Sequence, residues 1–173
     1  MMTIETTTRE GADLLETLTK HRYFLRYTVR DLNDEQAALR PTASELCLGG
    51  IIKHVVEVEA GWVDFIVSGP SALKSPGDDW SEGEWLSRFQ MQPGETLASL
   101  LERYESVAQR TDELVGALPS LDDDHVLPEA PWFEKGARWS ARRVLLHIIA
   151  ETAQHAGHAD VIRETLDGSK TMG

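Results

Sequence analysis

The sequence predicts an all-α protein, a four-helix bundle with long connecting loops, and three observations lead to this prediction. Four stretches of about 20 or more residues carry apolar side chains at helical spacing. No stretch convincingly alternates apolar and polar residues over the length of a strand. The segments between the helical stretches are rich in Gly, Pro and Ser. Long amphipathic helices of this kind pack as bundles, whose cofactor sites lie between facing helices.

The first predicted helix covers residues 10–32, and its apolar stripe includes His21. This histidine is either a hydrogen-bonded core residue or a pocket residue. Asn33 can cap a short helical turn that ends before Pro41, because a residue that precedes proline disfavours the helical conformation. The second long helix is then expected over residues 48–67.

The second long helix is apolar nearly all round its circumference. His54 shares one face with Ile51 and Trp62, so its imidazole is expected to point inward. Ile52 and Val63 lie on the far side. Such a helix is either central to its own fold or also covers a partner subunit. Since one bundle core covers only one side, we expect a homodimer.

The segment of residues 68–93 is rich in Gly, Pro and Ser and contains the aromatic residues Trp80, Trp85 and Phe89. Loops of this length in compact domains are usually functional or mobile. The aromatic side chains either hold the loop against the core or wall a substrate pocket. A short helix over residues 82–89 fits within the segment.

The third long helix is expected over residues 95–118, where a proline stops it. Residues 119–138 form a second connector, in which His125 follows an acidic run and is expected to be exposed. Ser140 can cap the fourth helix, which runs to residue 167 and ends at Gly168.

Length and charge exclude several classes of protein. A chain of 173 residues is expected to form one domain, residues 1–173, with a core that needs no disulfides. The net charge is −12 and basic residues are not clustered, so nucleic acid is not an expected partner. Neither a membrane span nor a signal peptide is expected, which favours the cytoplasm. Cys47 precedes a helix start and is interpreted as a small residue near the cap rather than a nucleophile.

Four side chains that can bind metal lie close together on the fourth helix: His147, Glu151, His155 and His158. At roughly 100° per residue, they fall within about 80° of one helix face. The apolar stripe that includes Ile148 occupies the same face. Buried polar groups cost free energy unless each has a partner, and a shared cation would be such a partner.

One ion reaches two helical residues a single turn apart, about 6 Å of rise, but not two residues two turns apart. The helix therefore offers three ligand pairs, 147/151, 151/155 and 155/158, and spacing alone leaves the choice open. His54 is the best third ligand, because it lies in the middle of another inward stripe. Two imidazoles and one carboxylate suit Zn²⁺ first, and then Ni²⁺ or Fe²⁺. Three protein ligands leave an open position, as in catalytic zinc sites.

Two motifs resemble those of the DinB/YfiT-like superfamily of small four-helix metalloproteins, and of its actinobacterial branch in particular. They are L-G-G-I-I-K-H at residues 48–54 and E-T-A-Q-H-A-G-H-A-D at residues 151–160. The resemblance covers nearly the whole chain and implies that His54, Glu151 and His155 bind a divalent cation. Glutamate stands where most of the superfamily has the first histidine of an H-x-x-x-H pair. The resulting His, Glu, His set is similar to that of mycothiol-dependent maleylpyruvate isomerase.

The resemblance also implies a function. We expect a divalent-metal-dependent enzyme, a mycothiol-type thiol S-transferase or isomerase, in which the metal holds the thiolate nucleophile. His158 is then expected as general base or substrate contact. His147 and Arg143, the arginine of the fourth helix whose helical angle faces a pocket, are expected to contact the thiol cofactor. The alternative is a non-catalytic, stress-associated metal-binding protein that works as a dimer.

Overall fold

The computed structural model describes residues 8–73 and 82–172, and of residues 82 and 85 the backbone only. The chain is mostly helical, and the four long helices expected from the apolar periodicity are confirmed. In chain order the elements are α1 (Arg9–Tyr27), α2 (Asp34–Ala38), α3 (Leu48–Ser68), a 3₁₀ turn (Gly69–Ala72), α4 (Glu82–Ser87), α5 (Leu97–Ala117), β1 (Asp124–Val126), β2 (Arg138–Ser140) and α6 (Ala141–Asp167). Over the described ranges, none of the helices could span a lipid bilayer.

Helix α1 ends at Tyr27, five residues before the predicted end. The backbone tightens after this point, because the N–H groups of the next residues bond to carbonyls three positions back rather than four. Two backbone carbonyls beyond the helix end, those of Thr28 and Arg30, accept hydrogen bonds from the guanidinium of Arg163 in α6, at 2.8 and 2.7 Å. Asp31 follows with φ of 59°, a left-handed conformation that stops the helix.

Helix α3 packs on both α5 and α6, while α1 packs mainly on α6. In α3, the far-side residues Ile52, Val56 and Val63 are at most 1% exposed, so the chain itself covers both apolar sides of this helix. The premise of the dimer prediction, that a second subunit must cover one side, is therefore wrong. Helix α3 is central in its own fold, the other option that the pattern allowed.

The first turn of α3 is crossed at close range by the segment that follows α4. A Cβ at Gly50 would lie 1.8 Å from the carbonyl oxygen of Phe89, and a Cβ at Gly49 would lie 2.2 Å from the Met91 sulfur. Lys53 holds the same segment, since its ammonium donates to the carbonyls of Ser87 and Gln90 at 3.2 and 3.4 Å. Glycine at these positions therefore sets the position of Phe89.

Two short antiparallel strands, β1 and β2, contradict the prediction of no strand, and His125 pairs with Trp139 between them. Three residues are too few for an alternating pattern to be recognised. The prediction that His125 is exposed is also wrong, because its ring is half-buried against Phe65 and its Nε2 lies 3.1 Å from the Ile66 carbonyl. Strand β2 leads directly into α6 and fixes Trp139 at the start of that helix.

A buried charge network joins α1, α3 and α5. Arg22 and Glu59 form an ion pair and are 4% and 0% exposed. Thr111 donates its hydroxyl to Glu59 at 2.6 Å, and Arg22 also donates to Asp112 at 2.9 Å. A buried carboxylate needs a cation and hydrogen-bond donors, and this one has both within the chain.

Replacing Gly50 by alanine should lower the free energy of unfolding by about 1–3 kcal/mol, because the new methyl group overlaps the Phe89 backbone. Gly61→Ala, in the same helix, is the matched control. A Cβ at Gly61 meets only Leu73 Cδ2, at 3.8 Å, so this change should raise stability by roughly 0.5–1 kcal/mol. Urea denaturation of both variants measures the difference, and equal stabilities would contradict the close crossing.

Candidate metal centre

Three side chains that can bind metal meet between α3 and α6. His54 comes from α3, Glu151 and His155 come from α6, and their ligand atoms all lie within 4.8 Å of one another. The same carboxylate oxygen, Glu151 Oε2, lies 3.7 Å from His54 Nε2 and 3.5 Å from His155 Nε2. We call these three residues the triad. Of the ligand pairs that spacing left open, 151/155 is the one that joins His54.

Helix α6 presents Glu151 and His155 one turn apart on the side that meets α3. Ser140 caps the helix by accepting the N–H of Arg143 at 3.2 Å. Thr152 is fully buried, and its hydroxyl donates a hydrogen bond to the Ile148 carbonyl at 2.8 Å, which offsets the cost of burying it. A buried residue with a satisfied hydroxyl therefore directly follows Glu151 in this helix.

The carboxylate of Glu151 is ionised in this setting. The imidazole of His155, and then that of His54, face it and hold its pKa well below the ordinary range, against the opposing effect of partial burial. A metal-binding carboxylate must be deprotonated, so Glu151 is ready to bind a cation.

The triad fits a divalent cation. The distances of 3.5 and 3.7 Å between Glu151 and the two imidazoles are too long for good hydrogen bonds. They are close to the roughly 3.4 Å that separates two ligands of one tetrahedral zinc ion with bonds near 2.05 Å. Two imidazole nitrogens and one carboxylate oxygen are a donor set that Zn²⁺ accepts.

His147 lies beside the triad but not within it. Its Nε2 is 4.0 Å from Oε1 of Glu151, the oxygen that the triad histidines do not face. The ring packs edge-on between Trp62 and Trp139, with centroid distances of 5.0 and 5.2 Å. Burial is the main cause that lowers the pKa of His147, so the imidazole is neutral near pH 7.

His158 lies on the other side of His155. Its Nδ1 is 3.4 Å from the Nδ1 of His155, whose Nε2 faces Glu151. The His158 side chain is exposed. One of the two Nδ1 atoms must carry a proton and the other must accept it for this contact to be favourable.

Of the arginines of α6, Arg143 lies near the site, as the helical angles predict. Its guanidinium lies 4.1 Å from the centre of the Trp139 ring, which in turn contacts His147. Arg142 instead pairs with Glu10 and Asp122 at the surface. Arg163 is used at the end of α1.

Aromatic rings line the centre, and the sequence revealed only part of this wall. Phe89 lies 4.3 Å from the ring of His54, so this loop aromatic does pack on the site. The ring of Trp139 in β2 stacks on that of Trp62 in α3, with centroids 4.8 Å apart. The two residues are far apart in the sequence, so the spacing of residues along the chain could not predict this contact. Trp80 lies outside the described residues, as does the side chain of Trp85. His21 is half-buried beside Phe24 on α1 and is not part of the triad.

Cys47 caps α3, as interpreted from the sequence. Its sulfur accepts the N–H of Gly50 at 3.3 Å, and the residue is 1% exposed. A buried sulfur in this role is not available as a nucleophile.

Comparison with known proteins identifies the family. A family model described as mycothiol-S-transferase matches residues 13–168, a range that contains the whole triad. No curated protein matches the chain. A crystal structure of a conserved protein from Enterococcus faecalis aligns with 91% of this chain and 97% of its own, with a TM-score of 0.69 and 13% identity, which shows the fold alone. Because the family model covers most of the sequence, the chain belongs to the mycothiol S-transferase family of DinB-like proteins.

Proposed function

We propose that this protein is a divalent-metal-dependent mycothiol S-transferase, in which His54, Glu151 and His155 bind one cation, Zn²⁺ first and Ni²⁺ or Fe²⁺ next. The observation that carries the proposal is the set of three converging donors in a chain of this family. The family's name implies a small-molecule thiol as substrate. Three protein ligands, rather than four, leave a position for that thiol.

A divalent cation held by three protein ligands supplies an open position and a positive charge, which favour a thiolate over a thiol. The ionised Glu151 offsets part of the cation's charge, and the neutral His147 adds no repulsion. In the transfer, the thiol gives its proton to water, and its sulfur forms a bond to the electrophilic carbon. The leaving group departs with the electron pair of the bond that breaks.

His158 fits a positioning role better than the role of general base. A histidine that binds metal through one nitrogen usually donates its other N–H to a nearby acceptor, which fixes the tautomer and the ring orientation. His155 directs Nε2 towards Glu151 and Nδ1 towards His158 at 3.4 Å. Its Nδ1–H would therefore be donated to the Nδ1 of His158.

Arg143 and His147 are proposed to bind the polar part of mycothiol. Together with Trp139 they form a row beside Glu151, with the guanidinium stacked on the indole and the indole packed on the imidazole. Guanidinium and neutral imidazole groups can both hydrogen-bond hydroxyl and carbonyl groups. The contacts with Trp139 hold both side chains in place.

We also infer that α1, α3, α5 and α6 form a DinB-like four-helix bundle and that the chain is one domain. The contacts of α3 with α5 and α6 support this arrangement, as does the contact of α1 with α6. A homodimer and a cytoplasmic location stay predictions. The non-catalytic dimeric alternative has lost its main support, since both apolar sides of α3 are covered within the chain.

The function is tested by conjugation of mycothiol with monochlorobimane. Tag-free protein, stripped of metal and reloaded with zinc, should form the fluorescent adduct much faster than the metal-free protein. The His155→Ala variant should stay at the metal-free rate, whereas Tyr23→Ala, an exposed change on α1, should match the wild-type rate. Equal rates of adduct formation with and without metal, for mycothiol and for several other thiols, would contradict the proposal.

The role of His158 is tested by metal affinity rather than by activity alone. His158→Ala should weaken zinc binding about 10–100-fold, as loss of a hydrogen-bond partner behind a ligand does, and His158→Asn should restore part of it. At saturating zinc, the rate and its pH profile should return close to those of the wild type. Unchanged zinc affinity together with a lost limb of the pH profile would instead identify His158 as a general base.

A further inference from the structure

A cleft of about 670 Å³ lies beside the metal centre. It is bounded by α3, by the 3₁₀ turn, by the end of α4 and by the loop that carries Trp132 and Phe133. Binding sites for small molecules are typically clefts of this size that combine apolar walls with a few polar groups.

Two parts of the structure contact the cleft on one side and the triad, or its neighbour His147, on the other. The first is Trp62, which lines the cleft and whose ring centroid lies 5.0 Å from that of His147, the neighbour of Glu151. The second is the segment after α4, where Arg88 lines the cleft and the adjacent Phe89 packs on His54 at 4.3 Å. The cleft is therefore a neighbour of the triad, and the side chains of Trp62, His147 and Phe89 lie between the two.

The chemistry of the walls points to an uncharged, flat molecule. Leu73, Trp62, Trp132 and Phe133 provide apolar and aromatic surface. Trp132 is 69% exposed and its ring lies 6.2 Å from that of Phe133, so one face of the indole is not covered by the described residues and can stack on a ligand.

The charged groups of the cleft compensate one another. Arg88 and Arg103 approach Glu57 at 3.6 and 3.9 Å, and Glu84 adds a second carboxylate. Two guanidinium groups and two carboxylates leave no net charge for an ionic ligand to neutralise.

Gly61 keeps the cleft open. Glycine in a helix interior is destabilising relative to alanine, so its presence at position 61 requires a structural or functional explanation. Packing explains Gly50 but not Gly61, where a Cβ would meet only Leu73 Cδ2, at an ordinary 3.8 Å. Since Gly61 lines the cleft, any longer side chain at this position would occupy the space of a ligand.

We propose that this cleft binds the electrophilic co-substrate, an uncharged compound with a planar conjugated ring that stacks on Trp132. The assignment rests on the proposed transferase function, which needs a second substrate within reach of the thiol sulfur. The thiol's polar part is proposed to lie on the row of Arg143 and His147, and the cleft beyond Trp62 offers the electrophile a separate space.

The experiment is equilibrium dialysis of an unreactive bimane against the intact protein without thiol. This bimane has a methyl group in place of the chloromethyl group of monochlorobimane. The wild type should bind it. Gly61→Leu, whose side chain would project into the cleft, and Trp132→Ala, which removes the stacking surface, should each bind about tenfold more weakly. Tyr23→Ala, an exposed change on α1 that does not touch the cleft, is the control and should bind as the wild type does. Melting temperatures of all variants establish that each is folded.

Two readouts separate this proposal from the proposed function. If mycothiol is conjugated to monochlorobimane but Gly61→Leu leaves both bimane binding and the KM for monochlorobimane unchanged, the cleft assignment is overturned while the transferase function stands. Undetectable binding of the unreactive bimane to folded wild-type protein overturns it as well. If the bimane binds in the cleft but no thiol is conjugated, the transferase function fails, and with it the role of the cleft as a co-substrate site.

Discussion

The centre depends on the packing of α3 against α6, because neither helix holds a complete set of ligands. Ile51 and Val55 of α3 belong to one buried cluster with Ala156 and Ala159 of α6, and these small alanines leave room for the two helices to approach just after the polar residues. A shift of α3 by one residue would rotate His54 by about 100° away from Glu151. The tight packing of the apolar residues therefore decides whether three polar ones meet.

Glu59 and Glu151 are two carboxylates between the helices with opposite surroundings. Glu59 is fully buried and has its own cation in Arg22 and a hydroxyl donor in Thr111. Glu151 is 27% exposed, and among the described residues it is approached by the imidazoles of His54, His155 and His147, at 3.7, 3.5 and 4.0 Å, all too long for good hydrogen bonds. The first carboxylate is a closed structural pair that joins three helices. The carboxylate of Glu151 has no such cation within the described part of the chain, and its charge and geometry suit a bound metal ion.

The long helices could be predicted because their apolar periodicity extends over many turns, and the same periodicity placed His54 and Glu151 on inward faces. The end of α1 could not be predicted, because it depends on Arg163, more than a hundred residues away in sequence. The strands were too short to leave a pattern. The position of His125 and the stacking of Trp139 on Trp62 depend on that hairpin, so they were missed with it.

The metal content of tag-free protein, purified and dialysed under identical conditions, tests the central claim most directly. Wild type and His147→Ala should each contain close to one divalent ion per chain. His54→Ala, Glu151→Gln and His155→Ala should contain almost none while keeping the helical circular dichroism of the wild type. Metal retained after His155→Ala, or lost after His147→Ala with the fold intact, would show that a different pair of residues on α6 binds the ion.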